Sequence, residues 1–133
     1  MDNVTSRLPK FYRCNRCGNI VEMIEASGVT MNCCGQEMEL LIANDSDGAS
    51  EKHVPVYDME NCKVYTQVGS VAHPMSEEHH IDWIELVTTK GIQRKKIYPK
   101  DKPTAWFCIK KDEEPIAIYA YCNLHGLWVV DIR

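Results

Sequence analysis

Beyond residue 50 the chain alternates between apolar and polar positions. In "DWIELV", Trp83, Glu85 and Val87 fall on one face of an extended strand, and Ile84 and Leu86 on the other. The same period, or enrichment in Val, Ile, Tyr and Trp, predicts seven strands: "HVPVYD", "KVYTQVG", "IDWIELVT", "IQRKKIY", "TAWFCIK", "IAIYAYC" and "LWVVDI". "TTKG" at Thr88 to Gly91 predicts a hairpin turn, and "PKDKP" at Pro99 to Pro103 a loop. No helical period extends beyond a single turn near Ser76 to His79. Short strands with frequent turns predict a mainly β chain carrying an antiparallel sandwich of immunoglobulin type.

The first 43 residues are different. They hold Cys14, Cys17, Cys33 and Cys34 and too few apolar residues for a core, so a metal or disulfides must support them. "NDSDGAS", Asn44 to Ser50, is polar and without period, and reads as a linker. The expected organisation is a small metal-binding domain at 1–43, a linker at 44–50 and the sandwich at 51–133.

Composition narrows the function. Hydrophobic residues at 44% and charged residues at 26% are those of a globular chain. A net charge of -4 gives no basic footprint, so no nucleic-acid partner is expected. No window approaches the roughly 18 apolar residues of a membrane span, and "MDNVTSRLPKFYRC" has no apolar signal core, so a cytoplasmic protein is expected. Seven cysteines in such a chain favour metal ligation or redox work over disulfides.

"CNRCG" lets two thiolates turn toward one ion, and "CCG" supplies two more. Adjacent cysteines on a straight strand point to opposite faces, so the backbone must bend at Cys33–Cys34, and Gly35 can ease that bend. Four thiolates suit zinc or iron. The alternatives are a Cys14–Cys17 disulfide or a thioredoxin-like redox pair, which lacks its βαβ context.

All five histidines follow the expected linker: His53, His73, His79, His80 and His125. They sit at strand ends and in loops, positions that can converge at one rim of a sandwich. His79 and His80 are neighbours, and at most one of them is expected to reach a shared ion. Cys122 and His125 have Cys-x-x-His spacing in "CNLHG". An imidazole-rich site with one thiolate suits iron or copper. Its residual positive charge favours a small anion. Lys52 would add to that charge, and Glu51 would place a carboxylate nearby; the blander reading of "EKH" is a solvated strand start. Met75 near His73 allows a blue-copper electron carrier as a rival, and a zinc-stabilised binding module is another. Cys62 and Cys108 read as ordinary thiols on or near the core, and Trp83, Trp106 and Trp128 as core residues.

Six segments in order carry a family resemblance: "YRCNRCGNIVE", "CCGQEM", "EKHVPV", "VGSVAHPM", H-x-I-x-W-I-E-L starting at His79, and "YCNLHG". From Phe11 to Trp128 the chain resembles the desulfoferrodoxin family of two-domain superoxide reductases. The resemblance implies a desulforedoxin-like domain with iron on Cys14, Cys17, Cys33 and Cys34. It implies a neelaredoxin-like sandwich with a second iron on His53, His73, His79, His125 and Cys122, and Glu51 and Lys52 as the catalytic pair. His80 is not among the implied ligands. Superoxide as substrate, a rubredoxin-like electron donor and a homodimer are implied as well.

Overall fold

The computed structural model describes residues 7–47 and 52–132. It divides into two compact units, Met1–Ile42 and Ala43–Arg133. No α-helix occurs among the described residues, and no helix is long and apolar enough to cross a membrane.

The first unit has five short strands: β1 (Phe11–Arg13), β2 (Ile20–Glu22), β3 (Asn32–Cys33), β4 (Gln36–Glu37) and β5 (Glu39–Leu40). β1 lies between β2 and β5, and β3 and β4 form a separate hairpin. Phe11, Cys14 and Met38 are its buried apolar side chains among the described residues. One of the three is itself a cysteine of the metal motif. So little apolar burial cannot offset the chain entropy of folding without a cross-link.

The second unit contains β6 (Pro55–Glu60), β7 (Lys63–Val68), β8 (Ile81–Thr88), β9 (Gly91–Lys96), β10 (Thr104–Cys108), β11 (Pro115–Cys122) and β12 (Gly126–Asp131). These are the seven predicted strands, with ends shifted by one or two residues. They form two antiparallel sheets, ordered β10-β7-β6 and β12-β11-β8-β9. Val64, Val68 and Phe107 from the first sheet share one core cluster with Ile84, Leu86 and Ile118 from the second. The alternation read in "DWIELV" is therefore the one that builds the core. The predicted turn at Thr88 to Gly91 closes β8 onto β9.

Two readings need correction. Cys62 and Cys108 are exposed, not core thiols. Cys62 occupies the two-residue turn between β6 and β7, and Cys108 falls on the outward phase of β10, where Ala105 and Phe107 point inward. For the same reason Trp106 is 59% exposed. Of the expected linker, residues 48–50 lie outside the described ones, and the described part makes contacts. Asn44 pairs in parallel with Trp128, and Asp47 Oδ1 accepts the main-chain N–H groups of His53 and Val54. Short polar side chains of this kind commonly hold backbone in this way.

The sequence also bends twice in ways that serve later geometry. β8 carries a bulge: Tyr121 opposes Trp83 but Cys122 opposes Ile81, leaving Asp82 as the extra residue. Ile81 and Ile84, three apart, therefore both reach the core. Gly69, at φ +71°, ends β7 where the chain passes Lys52; a Cβ there would lie 2.4 Å from the Lys52 carbonyl oxygen. Only glycine fits both the left-handed conformation and the close approach. Gly69→Ala is expected to lower stability by about 1–3 kcal/mol, read by denaturant unfolding; an unchanged midpoint would contradict the close approach.

Candidate metal centres

The four cysteines of the first unit lie with their sulfur atoms all within 4.8 Å of one another. Two turns bring this about. After β1, Gly18 N–H donates to the Cys14 carbonyl at 2.9 Å, and Gly18 takes φ +84°. The main-chain N–H of Cys17 also points at Cys14 Sγ, 3.5 Å away. The expected bend at "CCG" is a two-residue hairpin turn between β3 and β4, with Cys33 paired to Gln36. Cys34 and Gly35 both have positive φ, 55° and 76°. Left-handed conformations at both central positions mark the turn type that suits the twist of a tight hairpin. Glycine does this freely; Cys34 does it at a cost, and in exchange its thiol turns to the same side as that of Cys33.

The donor set fits a tetrahedral thiophilic ion. Metal–sulfur bonds of about 2.3 Å place sulfurs about 3.8 Å apart, and Cys17 Sγ lies 3.6 Å from Cys33 Sγ. The electrostatics are those of thiols awaiting a cation. Main-chain N–H groups of Cys17 and Arg16 hold Cys14 down at about 6. Hydrogen bonding to Cys17, then to Cys14 and Cys33, pushes Cys34 up to about 12. Cys33 is raised as well, first by Cys17. One thiolate is thus favoured and its neighbours resist a second charge until a positive ion offsets it.

The second cluster lies at one end of the sandwich. His53 precedes β6, His73 and His79 lie on the β7–β8 connection, Cys122 ends β11, and His125 occupies the turn into β12. The four imidazole rings form a closed circuit. Successive centroids are 4.6 Å apart for His53–His73, 4.7 Å for His73–His79 and 5.0 Å for both His79–His125 and His125–His53. The His53–His79 diagonal is 6.5 Å, close to the diagonal of a square. Neighbouring rings stand at 60° to 84° to one another. Donor atoms of His53, His79, Cys122 and His125 all lie within 4.8 Å of each other. His73 stands outside that tightest set, but its ring completes the square.

The distances suit an ion with neighbouring donors at right angles. Metal–nitrogen bonds of about 2.1 Å would place adjacent nitrogens about 3.0 Å apart, and His53 Nε2 lies 3.2 Å from His125 Nδ1. Cys122 Sγ is 3.8 Å from the same Nδ1. Cys122 is fully buried, and His53 and His73 are only 4% and 3% exposed, whereas His125 is exposed. The site therefore has a closed side at the thiol and an open side at His125.

Outer contacts orient the donors. His73 Nδ1 faces the Pro74 carbonyl at 2.8 Å, which leaves Nε2 as the lone-pair nitrogen. The His79 loop is closed by Ser76, whose main-chain N–H donates to the His79 carbonyl at 2.9 Å. Asn123, beside Cys122, fastens the same loop: its Oδ1 accepts from His80 N–H at 2.9 Å and its Nδ2 donates to the Glu78 carbonyl at 2.9 Å. His80 turns away, its ring nitrogens 2.9 Å from the Ser76 carbonyl and 3.0 Å from Asp82 Oδ1. Met75 Sδ accepts the Ile81 N–H at 3.3 Å and packs on the core. Lys52 directly precedes His53, while Glu51 lies outside the described residues.

Sequence reasoning named the ring and thiol donors but missed Asp47, Asn123 and the non-core role of Trp128. Asn123 is a short polar residue in the turn next to Cys122, which was the available signal; Asp47, well before His53 in the chain, gave none. Trp128 follows His125 by three residues, but nothing in that spacing reveals a stacking partner.

Comparison with known proteins agrees with both halves of the chain. The desulfoferrodoxin family profile matches residues 45–131, and that of the desulfoferrodoxin N-terminal domain matches residues 6–41. A desulfoferrodoxin from Nitratidesulfovibrio vulgaris is 49% identical over 119 residues, covering 90% of this chain and 93% of that one. A desulfoferrodoxin homolog from Archaeoglobus fulgidus is 48% identical over 117 residues, covering 88% and 92%. Among solved structures, the superoxide reductase from Treponema pallidum superposes with a TM-score of 0.82 at 32% identity, covering 94% of this chain and 99% of that one. With two family profiles matched in order and close to half of the residues shared with full-length relatives, the chain belongs to the desulfoferrodoxin family.

Proposed function

We propose that this protein is a superoxide reductase holding two irons, one on Cys14, Cys17, Cys33 and Cys34 and one on His53, His73, His79, His125 and Cys122. The observation that carries the reading is the square of four imidazoles with a buried thiol beside it. A blue-copper site uses two histidines and a cysteine, and four imidazoles overfill it. When bound, iron at the second centre supplies the electron that, with two protons, converts superoxide to hydrogen peroxide.

The chain's own residues supply the rest. Cys122, as a thiolate, donates electron density to the bound ion from the closed side of the site. The histidines are neutral donors, so the loaded centre keeps a positive charge and draws a small anion toward the open side. Lys52 extends that attraction from the segment that carries His53, and its ammonium can order a proton-bearing water. Glu51 is the proposed carboxylate that would bind the ion in its oxidised resting state.

The first iron holds its own unit together, in keeping with the scarcity of buried apolar side chains there. Exposed Val21, Leu40 and Ile42 in that unit support pairing of two chains into a homodimer. A rubredoxin-like donor restores the electron. Residues 1–43 serve as the desulforedoxin-like domain and 51–133 as the catalytic sandwich. The cytoplasm suits the protein, since no disulfide links any two of its cysteines.

Cys122→Ser is expected to lose superoxide reduction in a pulse experiment while the four-cysteine centre keeps its metal and its absorption. Reduction at the parent rate would refute the assignment. Lys52→Ala is expected to slow superoxide capture at low salt by up to about tenfold and to flatten its salt dependence. Stopped-flow rates that match the parent at low salt would remove Lys52 from the mechanism.

A further inference from the structure

Trp128 lies half-buried near the start of β12. Its indole is stacked on the ring of His53, with centroids 4.4 Å apart and planes within 13°. Its Nε1–H donates to the main-chain carbonyl of His125 at 3.1 Å. His53 and His125 stand 72 residues apart in the sequence, yet their facing nitrogens are 3.2 Å apart. A single side chain therefore touches the ring of one donor and the turn that carries the other.

The indole is held at its ring by the Nε1–H bond to the His125 carbonyl, and its backbone is held from both sides. Trp128 pairs with Ala120 of β11, and Asn44 lies against it on the other side as a parallel bridge. Asn44 N–H donates to the Leu127 carbonyl and Val129 N–H to the Asn44 carbonyl, each at 2.9 Å. Asp47 accepts the main-chain N–H of His53, a bond that does not itself set the plane of the ring. The second face of that constraint comes from His73, whose ring stands at 60° to His53. Without a flat surface opposite, the His53 nitrogen would spread over several directions and would have to be ordered at each metal-binding event.

We propose that Trp128 is a positioning residue of the His/Cys centre, its indole fixing the ring plane of His53 and the carbonyl of the turn that carries His125. The proposal rests on the reading of that centre as an iron site. It does not make Trp128 a ligand or a reacting group. Its effect is on how firmly two of the five donors are aimed.

The test uses the full chain loaded with iron at both centres and compares the parent with Trp128→Phe and Trp128→Leu. Phenylalanine keeps a stacking surface and removes the N–H donor; leucine removes both. Release of iron to a ferrous chelator and the position of the ferric-thiolate band are followed, with the four-cysteine centre's own band as internal control. Trp128→Leu is expected to release iron from the His/Cys centre roughly tenfold faster than the parent, with a shifted thiolate band and an unchanged four-cysteine band. Trp128→Phe should fall between the two. Parent-like release and an unshifted band in Trp128→Leu would overturn the proposal, as would equal losses at both centres, which mean general destabilisation. If Trp128→Leu does not fold, Trp128→Phe decides alone: loss of the N–H must still speed release, and a parent-like rate overturns the proposal. A parent chain that takes up iron only at the four-cysteine centre overturns the ligand assignment itself, and the role of Trp128 with it.

Discussion

The five proposed donors have to meet around one point, and the chain supplies them from segments as far apart as His53 and His125. The apolar core of the second unit is what allows that convergence. Closing two sheets over a shared apolar core brings the start of β6, the end of β7, the start of β8 and the β11–β12 turn to the same end. The core and the site are continuous: Cys122 is both a proposed ligand and a member of the core cluster. The pleat that buries Ile118 and Ala120 on β11 sends Cys122 inward as well. The β8 bulge then lets Ile81 rejoin the core beside it, directly after the His79–His80 loop.

The first unit solves a different problem with the same element type. Its two knuckles are tight turns that need left-handed residues at Gly18, Cys34 and Gly35. Its buried apolar content is small, so the ion replaces a core rather than resting on one. In the second unit the order is reversed: a substantial apolar core exists first and presents the donors. The thiols differ in burial accordingly only in part: Cys122 is sealed in the sandwich, while in the first unit Cys14 is buried and Cys17 and Cys34 are exposed.

Much of this was legible in the sequence because period-two patterning and cysteine spacing are local signals. The seven sandwich strands and the bend at "CCG" could be read directly. Which strands share a sheet could not, since β7 and β8 are consecutive yet lie in different sheets. Phase errors were local too: Trp106 and Cys108 alternate with inward residues, and an aromatic or a thiol does not announce its face. The ligand histidines could be located only as a set at strand ends; naming the members depended on the resemblance. Residues that act through backbone contacts, such as Asp47 and Gly69, have partners that local sequence does not reveal. Asp47 sat inside a stretch that composition alone marks as linker, and Gly69 is needed because of Lys52, a neighbour in space only.

The proposed chemistry at the His/Cys centre is one-electron reduction of superoxide without oxidising a second molecule of it. The most direct measurement mixes the anaerobically reduced protein with a limiting pulse of superoxide and quantifies peroxide and dioxygen together. One peroxide is expected for each superoxide consumed, with no dioxygen and the loss of one electron from the protein per event. Dioxygen released alongside peroxide, with the protein's oxidation state unchanged at the end, would show dismutation and contradict the account.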